Sequence, residues 1–253
     1  MPDQTLQGRV ALVTGAGRNL GRAIALALAG AGANVAVNVR ASREEGQAVV
    51  DEIAAAGGEA CLAVADVTQR PAVDAMIAAV DARFGRLDIL VNNAAVRREG
   101  DFAGLSYSDW RAALDVCVDG AFHCTQAALP WLCRSPGGSV INIGGLTGST
   151  GAPGRAHVVT AKAALGGLTR ALAHELAPFA VTVNCISPGM IDTVRKASSA
   201  TPRPQHHRGR TPLLARRGEP AEIASAVVWL CGSGGRFTTG QTIHINGGAY
   251  LGG

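Results

Sequence analysis

The chain has 253 residues, of which 47% are hydrophobic and only 17% are charged, so it can bury a large core. Its formal net charge of +4, without a basic stripe at helical spacing, argues against a nucleic-acid-binding protein. The segment before the first predicted strand, residues 1–9, is short and polar, so it predicts neither a signal peptide nor a transmembrane segment. We therefore expect a cytoplasmic protein with no nucleic-acid or membrane partner.

The cysteines are spread along the chain without Cys-x-x-Cys spacing, and most of them lie in apolar runs. This distribution is typical of reduced thiols in the core of a cytosolic protein, not of a disulfide or zinc framework. No metal site is therefore expected. The cysteines are Cys61, Cys117, Cys124, Cys133, Cys185 and Cys231.

A short apolar run at 10–13 predicts a buried strand, and a glycine-rich turn and a helix follow it. A helix N-terminus at such a turn offers backbone N–H groups and a partial positive charge, which together bind phosphate. The turn reads Thr-Gly-x-x-x-Asn-x-Gly, with Asn19 between Gly15 and Gly21. Asparagine is the non-glycine residue that best adopts a left-handed backbone, so the turn is expected to keep its shape.

A second buried strand is predicted at 34–39, and its carboxyl end is where a Rossmann-type fold contacts the adenosine ribose. An acid there would bind the 2′-hydroxyl and repel a 2′-phosphate, but the sequence directly after Asn38 carries no acid. Arg40, together with Arg18, can instead hold a 2′-phosphate by charge-assisted hydrogen bonds. This pattern favours NADP(H) over NAD(H). The alternative is that Arg40 and Arg43 are solvated surface arginines.

Strands alternate with helices along the rest of the chain, with no repeat and no linker. This order predicts a single α/β domain over 1–253, built as a doubly wound parallel sheet of the Rossmann type. The predicted helices cover 44–56, 73–84, 105–132, 161–176 and 220–230, and the predicted strands cover 61–65, 87–91, 139–143, 181–186 and part of 239–248.

Further motifs follow the glycine turn in order: Asp66-Val67, Asn92-Asn93-Ala94-Ala95, Pro188-Gly189 and Asn246-Gly247-Gly248. With them the chain resembles the short-chain dehydrogenase/reductase family over nearly its whole length, and more weakly the pteridine-reductase branch. The resemblance implies a homotetramer or homodimer. It also implies cofactor contacts at Gly15, Arg18, Asn19, Leu20, Gly21, Asn38, Arg40, Asp66, Val67, Asn93, Ala94, Ala95, Lys162, Pro188, Gly189 and Ile191. Asn19 and Ala95 stand where the family has glycine.

The resemblance also implies four catalytic positions. A tyrosine exchanges a proton with the substrate oxygen, a lysine four residues later binds the nicotinamide ribose, a serine holds the substrate oxygen, and an asparagine anchors a relay water. Lys162 matches the lysine, but the other three positions hold Val158, Gly145 and Cys117. The sequence therefore predicts an intact dinucleotide site beside a reaction centre that lacks its usual proton donor.

Two other features bear on the chemistry. His157 directly precedes Val158 and is a candidate acid, the alternative being a surface or interface histidine. A predicted substrate-lid segment at about 190–218 is rich in arginine, which favours an anionic or carrier-bound substrate. The alternative for this segment is a solvated loop.

Three functions remain open on the sequence. The first is an NADP(H)-dependent oxidoreductase that acts on a small-molecule substrate with non-standard catalysis. The second is a non-redox cyclase, isomerase or lyase on the same fold, and the third is a catalytically inactive cofactor-binding subunit. The preserved cofactor positions and Lys162 favour the first.

Overall fold

The computed structural model describes residues 5–193 and 211–252. The predicted substrate-lid segment is therefore described only at its two ends. The basic residues between these ends lie outside the described residues, and they are Arg195, Lys196, Arg203, His206, His207, Arg208 and Arg210.

A single parallel sheet forms the centre of the described fold, with the strand order β3-β2-β1-β4-β5-β6-β7. The predicted doubly wound α/β fold is confirmed. The strands are β1 (Val10–Val13), β2 (Asn34–Val39), β3 (Ala60–Val64), β4 (Ile89–Asn92), β5 (Ser139–Ile143), β6 (Thr182–Pro188) and β7 (Thr242–Ile245).

Helices connect the strands and cover both faces of the sheet, because parallel neighbours require crossover connections. The helices are α1 (Asn19–Gly30), α2 (Arg43–Ala55), α3 (Arg70–Phe84), α4 (Tyr107–Leu114), α5 (Gly120–Leu132), α6 (Thr147–Thr150), α7 (Ala156–Leu176) and α8 (Pro220–Cys231). Short 3₁₀ turns lie at Phe102–Gly104, Ala177–Phe179 and Ser233–Gly235.

The core has two layers, one on each face of the sheet. Helices α1, α2 and α8 pack on one face around residues such as Ile24 and Ile223. Helices α3, α5 and α7 pack on the other around residues such as Ile77 and Leu176. The central strand β1 is a continuous apolar run because both of its faces are buried.

Helix α7 begins at Ala156, earlier than the predicted start at 161, so that Val158 and Lys162 belong to one helix. The β-branched residues at 158–160 have a low helix propensity, which is why the sequence alone places the start too late. Packing of α7 against α4, β5 and β6 outweighs that propensity. This difference matters for the site because it fixes the relative direction of the two side chains.

The helical segment predicted at 105–132 is observed as α4, a π-helical turn (Asp115–Asp119) and α5 in direct succession. Ser106 caps its start, since the Ser106 side chain accepts a hydrogen bond from the backbone N–H of Asp109. The π-helical turn carries Cys117. Such turns often occur at functional sites.

In the two described ranges we find no helix with the length and apolar character that crossing a bilayer requires.

Candidate functional site

The strand order reverses direction between β1 and β4, and the carboxyl ends of these strands open a cleft at that point. In doubly wound sheets this is where ligands bind. The cleft holds a cavity of about 910 Å³, a size suited to a dinucleotide and a small substrate. Every cofactor position expected from the sequence lines it, and so do Gly145, Val158 and Lys162.

The glycine turn has the shape expected for a phosphate cradle. Asn19 has φ of +50°, so it adopts the left-handed backbone predicted for it. A β-carbon on Gly21 would lie 2.3 Å from the carbonyl oxygen of Gly15, which no side chain could tolerate. On Gly15 itself it would lie 3.0 Å from Cα of Ala94. The backbone of the turn therefore packs closely against itself and against Ala94, and it lines the cavity.

The N-terminus of α1 points into this cradle. The Arg18 side chain forms no capping hydrogen bond, and the first turn contains no acidic residue. The first backbone N–H groups of the helix and the partial positive charge of its dipole are thus available to an anion. These features fit the pyrophosphate of a dinucleotide.

Buried amides hold the cradle in place. The Asn38 side-chain oxygen accepts a hydrogen bond from the backbone N–H of Gly15 at 3.2 Å, and its NH₂ group donates to the Ala63 and Ala65 carbonyls. The Asn93 side chain donates to the carbonyls of Thr14 and Gly15. Although Asn38 was expected as a cofactor contact, its side chain serves mainly to fix the turn against β2 and β3.

The ribose end of the cavity carries both Arg18 and Arg40, as the sequence predicts for a 2′-phosphate site. Both side chains belong to exposed residues, so they remain accessible to a ligand. Glu45 also lines this end, and its carboxylate lies 4.0 Å from the Arg18 guanidinium. Sequence reasoning missed Glu45, because only the packing of α2 brings it to the glycine turn.

Asp66 lines the cavity and also forms a local turn. Its Oδ1 accepts hydrogen bonds from the backbone N–H and the hydroxyl of Thr68 at 3.0 Å and 2.9 Å. A capping role and an adenine contact are therefore compatible, since only one carboxylate oxygen takes part in these two bonds.

Lys162 lies at the other end of the cavity, near the carboxyl end of β5. Its Nζ donates a hydrogen bond to the carbonyl of Ile143 at 2.6 Å. Burial lowers the pKa of Lys162, and the Arg97 and Arg155 guanidinium groups lower it further, while the thiols of Cys117 and Cys185 act in the opposite direction. The ammonium is therefore a stronger acid than an exposed lysine.

The two positions expected to supply hydroxyl groups are open to the cavity. Val158 lies one helical turn before Lys162 on the same face of α7, and it is buried. A β-carbon on Gly145 would have only Lys162 Cγ within 4 Å, at 3.8 Å. On Gly144 a β-carbon would lie 2.8 Å from the Sγ of Cys185. Of the two glycines, Gly145 is therefore the one that leaves space for a side chain.

Cys117 and His157 do not line the cavity. Cys117 is buried on the π-helical turn, close enough to Lys162 to affect its pKa. The His157 residue is only 1% exposed, so it is not a surface histidine. Burial and the Arg155 charge lower the pKa of His157, whereas Asp109 and the Arg98 backbone raise it.

The two described ends of the predicted substrate-lid segment are joined to each other. Ile191 pairs with Gly218 in a parallel bridge, and the Asp192 N–H donates to the Gly218 carbonyl at 2.7 Å. The Arg217 side chain donates to the Ile191 carbonyl and lies 3.7 Å from the Asp192 carboxylate. Ile191, Asp192 and Arg217 line the rim of the cavity.

Within 5–193 and 211–252, no group of three or more His, Cys, Asp or Glu side chains is placed to hold a metal ion. All six cysteines are described, and their thiols are free.

Comparison with known proteins finds relatives that match nearly the whole chain. A family model described as enoyl-(acyl carrier protein) reductase matches residues 15–250. The chain is 41% identical over 241 residues to a 3-oxoacyl-(acyl-carrier-protein) reductase of Staphylococcus aureus, covering 95% of this chain and 98% of the relative. It is 38% identical over 246 residues to the (2S)-((R)-hydroxy(phenyl)methyl)succinyl-CoA dehydrogenase subunit BbsD of Thauera aromatica, covering 97% and 98%.

Solved structures agree with these relatives. A short chain dehydrogenase from Burkholderia cenocepacia in complex with NADP has a TM-score of 0.88 and 37% identity, covering 96% of this chain and 98% of that one. A blue fluorescent protein from a metagenomic library in complex with NADPH has a TM-score of 0.88 and 31% identity, covering 98% and 100%.

Proposed function

Because the chain belongs to the short-chain dehydrogenase/reductase family, we propose that it is an NADP(H)-dependent oxidoreductase that exchanges its proton without the usual tyrosine and serine. The observation that carries the proposal is a single cavity that joins the phosphate cradle to Lys162, while positions 145 and 158 offer no proton donor. The NADP and NADPH complexes among the related structures support the choice of cofactor.

The chain's own residues have distinct roles in this proposal. The backbone from Gly15 to Gly21 and the start of α1 hold the pyrophosphate, and Arg18 and Arg40 hold the 2′-phosphate. Bound NADPH supplies a hydride. Lys162 holds the nicotinamide ribose, and the buried Val158 keeps water away from the reacting carbon.

We further propose an anionic or carrier-bound acyl substrate. Arg97, Arg155 and Lys162 line the reaction end of the cavity, and Arg217 lines its rim. This excess of positive charge attracts anions. The names of two relatives, a 3-oxoacyl-(acyl-carrier-protein) reductase and a succinyl-CoA dehydrogenase subunit, support an acyl thioester. In this proposal the segment 190–218 is the substrate lid.

Calorimetric titration with NADPH and with NADH tests the cofactor. We expect NADPH to bind more tightly, and Arg40→Ala to remove most of that preference. Arg43→Ala is the matched control, since Arg43 is exposed nearby but does not line the cavity. Turnover is then followed by the absorbance of reduced nicotinamide with 3-oxoacyl thioesters, imines and activated alkenes. Failure to bind either nucleotide contradicts the proposal.

The lack of a proton donor at Val158 and Gly145 favours one second candidate, a cofactor-binding protein without redox activity. Such a protein binds NADPH but does not oxidise it, whichever substrate is added. This candidate covers two cases, a non-redox enzyme and an inactive subunit. Mass spectrometry of the same incubations distinguishes them, because a cyclase, isomerase or lyase converts the substrate and an inactive subunit does not.

A further inference from the structure

We infer that Lys162 itself gives the proton to the substrate oxygen or nitrogen during reduction and takes it back during oxidation. The inference rests on the proposed function, since it assigns a role to a residue within the same site.

The start of α7 places Lys162 in the cavity. Arg155, Val158 and Lys162 follow one another at helical spacing along the start of α7, and all three line the cavity. Lys162 Nζ reaches the carboxyl end of β5, where it donates one hydrogen bond to the Ile143 carbonyl. An ammonium group has three protons, so two remain for other acceptors.

The other described residues that line the cavity are poor proton donors. Arginine does not deprotonate in proteins, and the hydroxyls of Ser42, Thr147 and Thr193 are far too weak as acids without an activating base. Glu45 on the first turn of α2 and Asp66 after β3 line the other end of the cavity, where the adenosine is expected. Asp192 is on the rim, and its side chain is 81% exposed. Lys162 is the group that remains.

Charged groups and thiols surround the Lys162 ammonium. Those that act most strongly on it lie on four segments: Cys117 of the π-helical turn, Arg97 after β4, Cys185 of β6 and Arg155 before α7. Burial and the two guanidinium groups make the ammonium easier to deprotonate, and they outweigh the two thiols. A general acid works best when its pKa approaches the working pH.

The positions around Lys162 leave room for a substrate oxygen. Valine at 158 carries no hydroxyl, and Gly145 leaves open space beside the Lys162 side chain. A carbonyl oxygen, which would meet a phenol and a serine hydroxyl in the usual arrangement, can therefore approach Nζ instead.

The proton balance is simple. During reduction of a ketone, the carbonyl carbon receives a hydride and the oxygen receives one proton from the ammonium of Lys162, giving an alcohol and a neutral amine. The amine is then reprotonated by a proton from the solvent, so the net reaction consumes one NADPH and one solvent proton and gives NADP⁺ and the alcohol. Oxidation of the alcohol runs through the same steps in reverse.

The test begins with a measurement that needs no turnover. The chain has only two lysines, Lys162 and Lys196, so protein labelled with ¹³C and ¹⁵N in lysine gives two side-chain titration curves by NMR. Lys162→Arg removes one curve and so assigns it. We expect the Lys162 midpoint to lie below the ordinary value for lysine. A midpoint at or above that value overturns the inference.

Kinetics form the second part. In the reducing direction kcat/KM should fall as pH rises through the Lys162 midpoint seen by NMR, and in the oxidising direction it should rise. Lys162→Arg keeps the positive charge but cannot release a proton near neutral pH. We expect it to lower kcat by about 10²-fold or more while NADPH affinity changes by less than about tenfold.

The outcomes separate the inference from the proposed function. If wild-type protein binds no nicotinamide cofactor, the proposed function fails. If it binds NADPH but reduces nothing, or if Lys162→Arg keeps kcat within about threefold, the inference fails although the cofactor assignment stands. The inference also fails if kcat/KM changes with pH around a midpoint that differs from the Lys162 midpoint measured by NMR.

Discussion

Gly145 lies directly beside Lys162: a β-carbon on Gly145 would be 3.8 Å from Lys162 Cγ, with no other atom within 4 Å. The space for a serine side chain is therefore present at the position where the family resemblance predicts a serine. Since Val158 lines the same cavity, both of the hydroxyl groups that the resemblance predicts can be introduced by substitution.

We predict that Gly145→Ser combined with Val158→Tyr gains ketone reduction by about 10²-fold or more, because a positioned acid contributes a factor of that order. NADPH oxidation with a panel of ketones measures it. Gly144→Ser is the matched control: its β-carbon would lie 2.8 Å from Cys185 Sγ, so it should destabilise the protein and add no activity. A stable double variant with no gain would mean that the site cannot support the usual chemistry.

The left-handed residue of the glycine turn gives a second prediction. Asn19 has φ of +50°, which costs most residues about 1–2 kcal/mol but costs glycine little. Asn19→Val should therefore weaken NADPH binding and lower the melting temperature, whereas Asn19→Gly should preserve both. Calorimetry and thermal unfolding measure the two effects. Equal behaviour of the two variants would argue that the turn is not strained at this residue.

A third prediction concerns Asp88, which lies directly before β4 on the side of the sheet away from the cavity. Its carboxylate is buried and accepts hydrogen bonds from the Val10 N–H, Arg86 and Ser135. Burial alone would raise the pKa of Asp88, but these hydrogen bonds outweigh it and lower the pKa.

Asp88→Ala should lower the free energy of unfolding by about 3 kcal/mol, because it leaves a buried N–H and a guanidinium without their acceptor. Asp74→Asn is the control, since Asp74 only pairs with Arg70 on the surface; its effect should stay below about 0.5 kcal/mol. Urea unfolding measures both. A small effect at Asp88 would mean that water replaces the carboxylate.

A fourth prediction uses the buried His157. Burial first, and then the Arg155 charge, lower its pKa in the folded protein. Between this lowered value and about 6.5 the unfolded chain binds more protons than the folded protein, so stability falls as pH drops through that window. His157→Gln should flatten this acid limb in urea unfolding performed from about pH 8 to about pH 5. If the loss of stability at low pH is unchanged in this variant, groups other than His157 cause it.

The sequence could predict the cradle because its requirements are local. A tight turn before a helix needs Gly15, Gly21 and a residue such as Asn19 that tolerates a left-handed backbone. The order of strands and helices likewise follows from apolar runs and glycine stops. For that reason the fold and the glycine turn could be predicted without coordinates, whereas most other cavity residues were named only through the family resemblance.

The remaining features depend on contacts between distant segments. Glu45 reaches the glycine turn only through the packing of α2, and the early start of α7 depends on tertiary contacts that outweigh β-branched residues. The proximity of Cys117 to Lys162 requires the π-helical turn, which no periodicity in the sequence indicates. The burial of His157 likewise cannot be inferred from the residues next to it in the sequence.

The bridge between Ile191 and Gly218 has an evolutionary consequence. Backbone hydrogen bonds from Asp192 to Gly218 and from Gly218 to Met190 bring the two ends of the segment together at one edge of the cavity. Because the free energy of closing a loop changes slowly with its length, sequences of different size can be exchanged between these fixed ends. If this segment is the substrate lid, as proposed, substrate preference can diversify through it while the nucleotide-binding sheet stays the same.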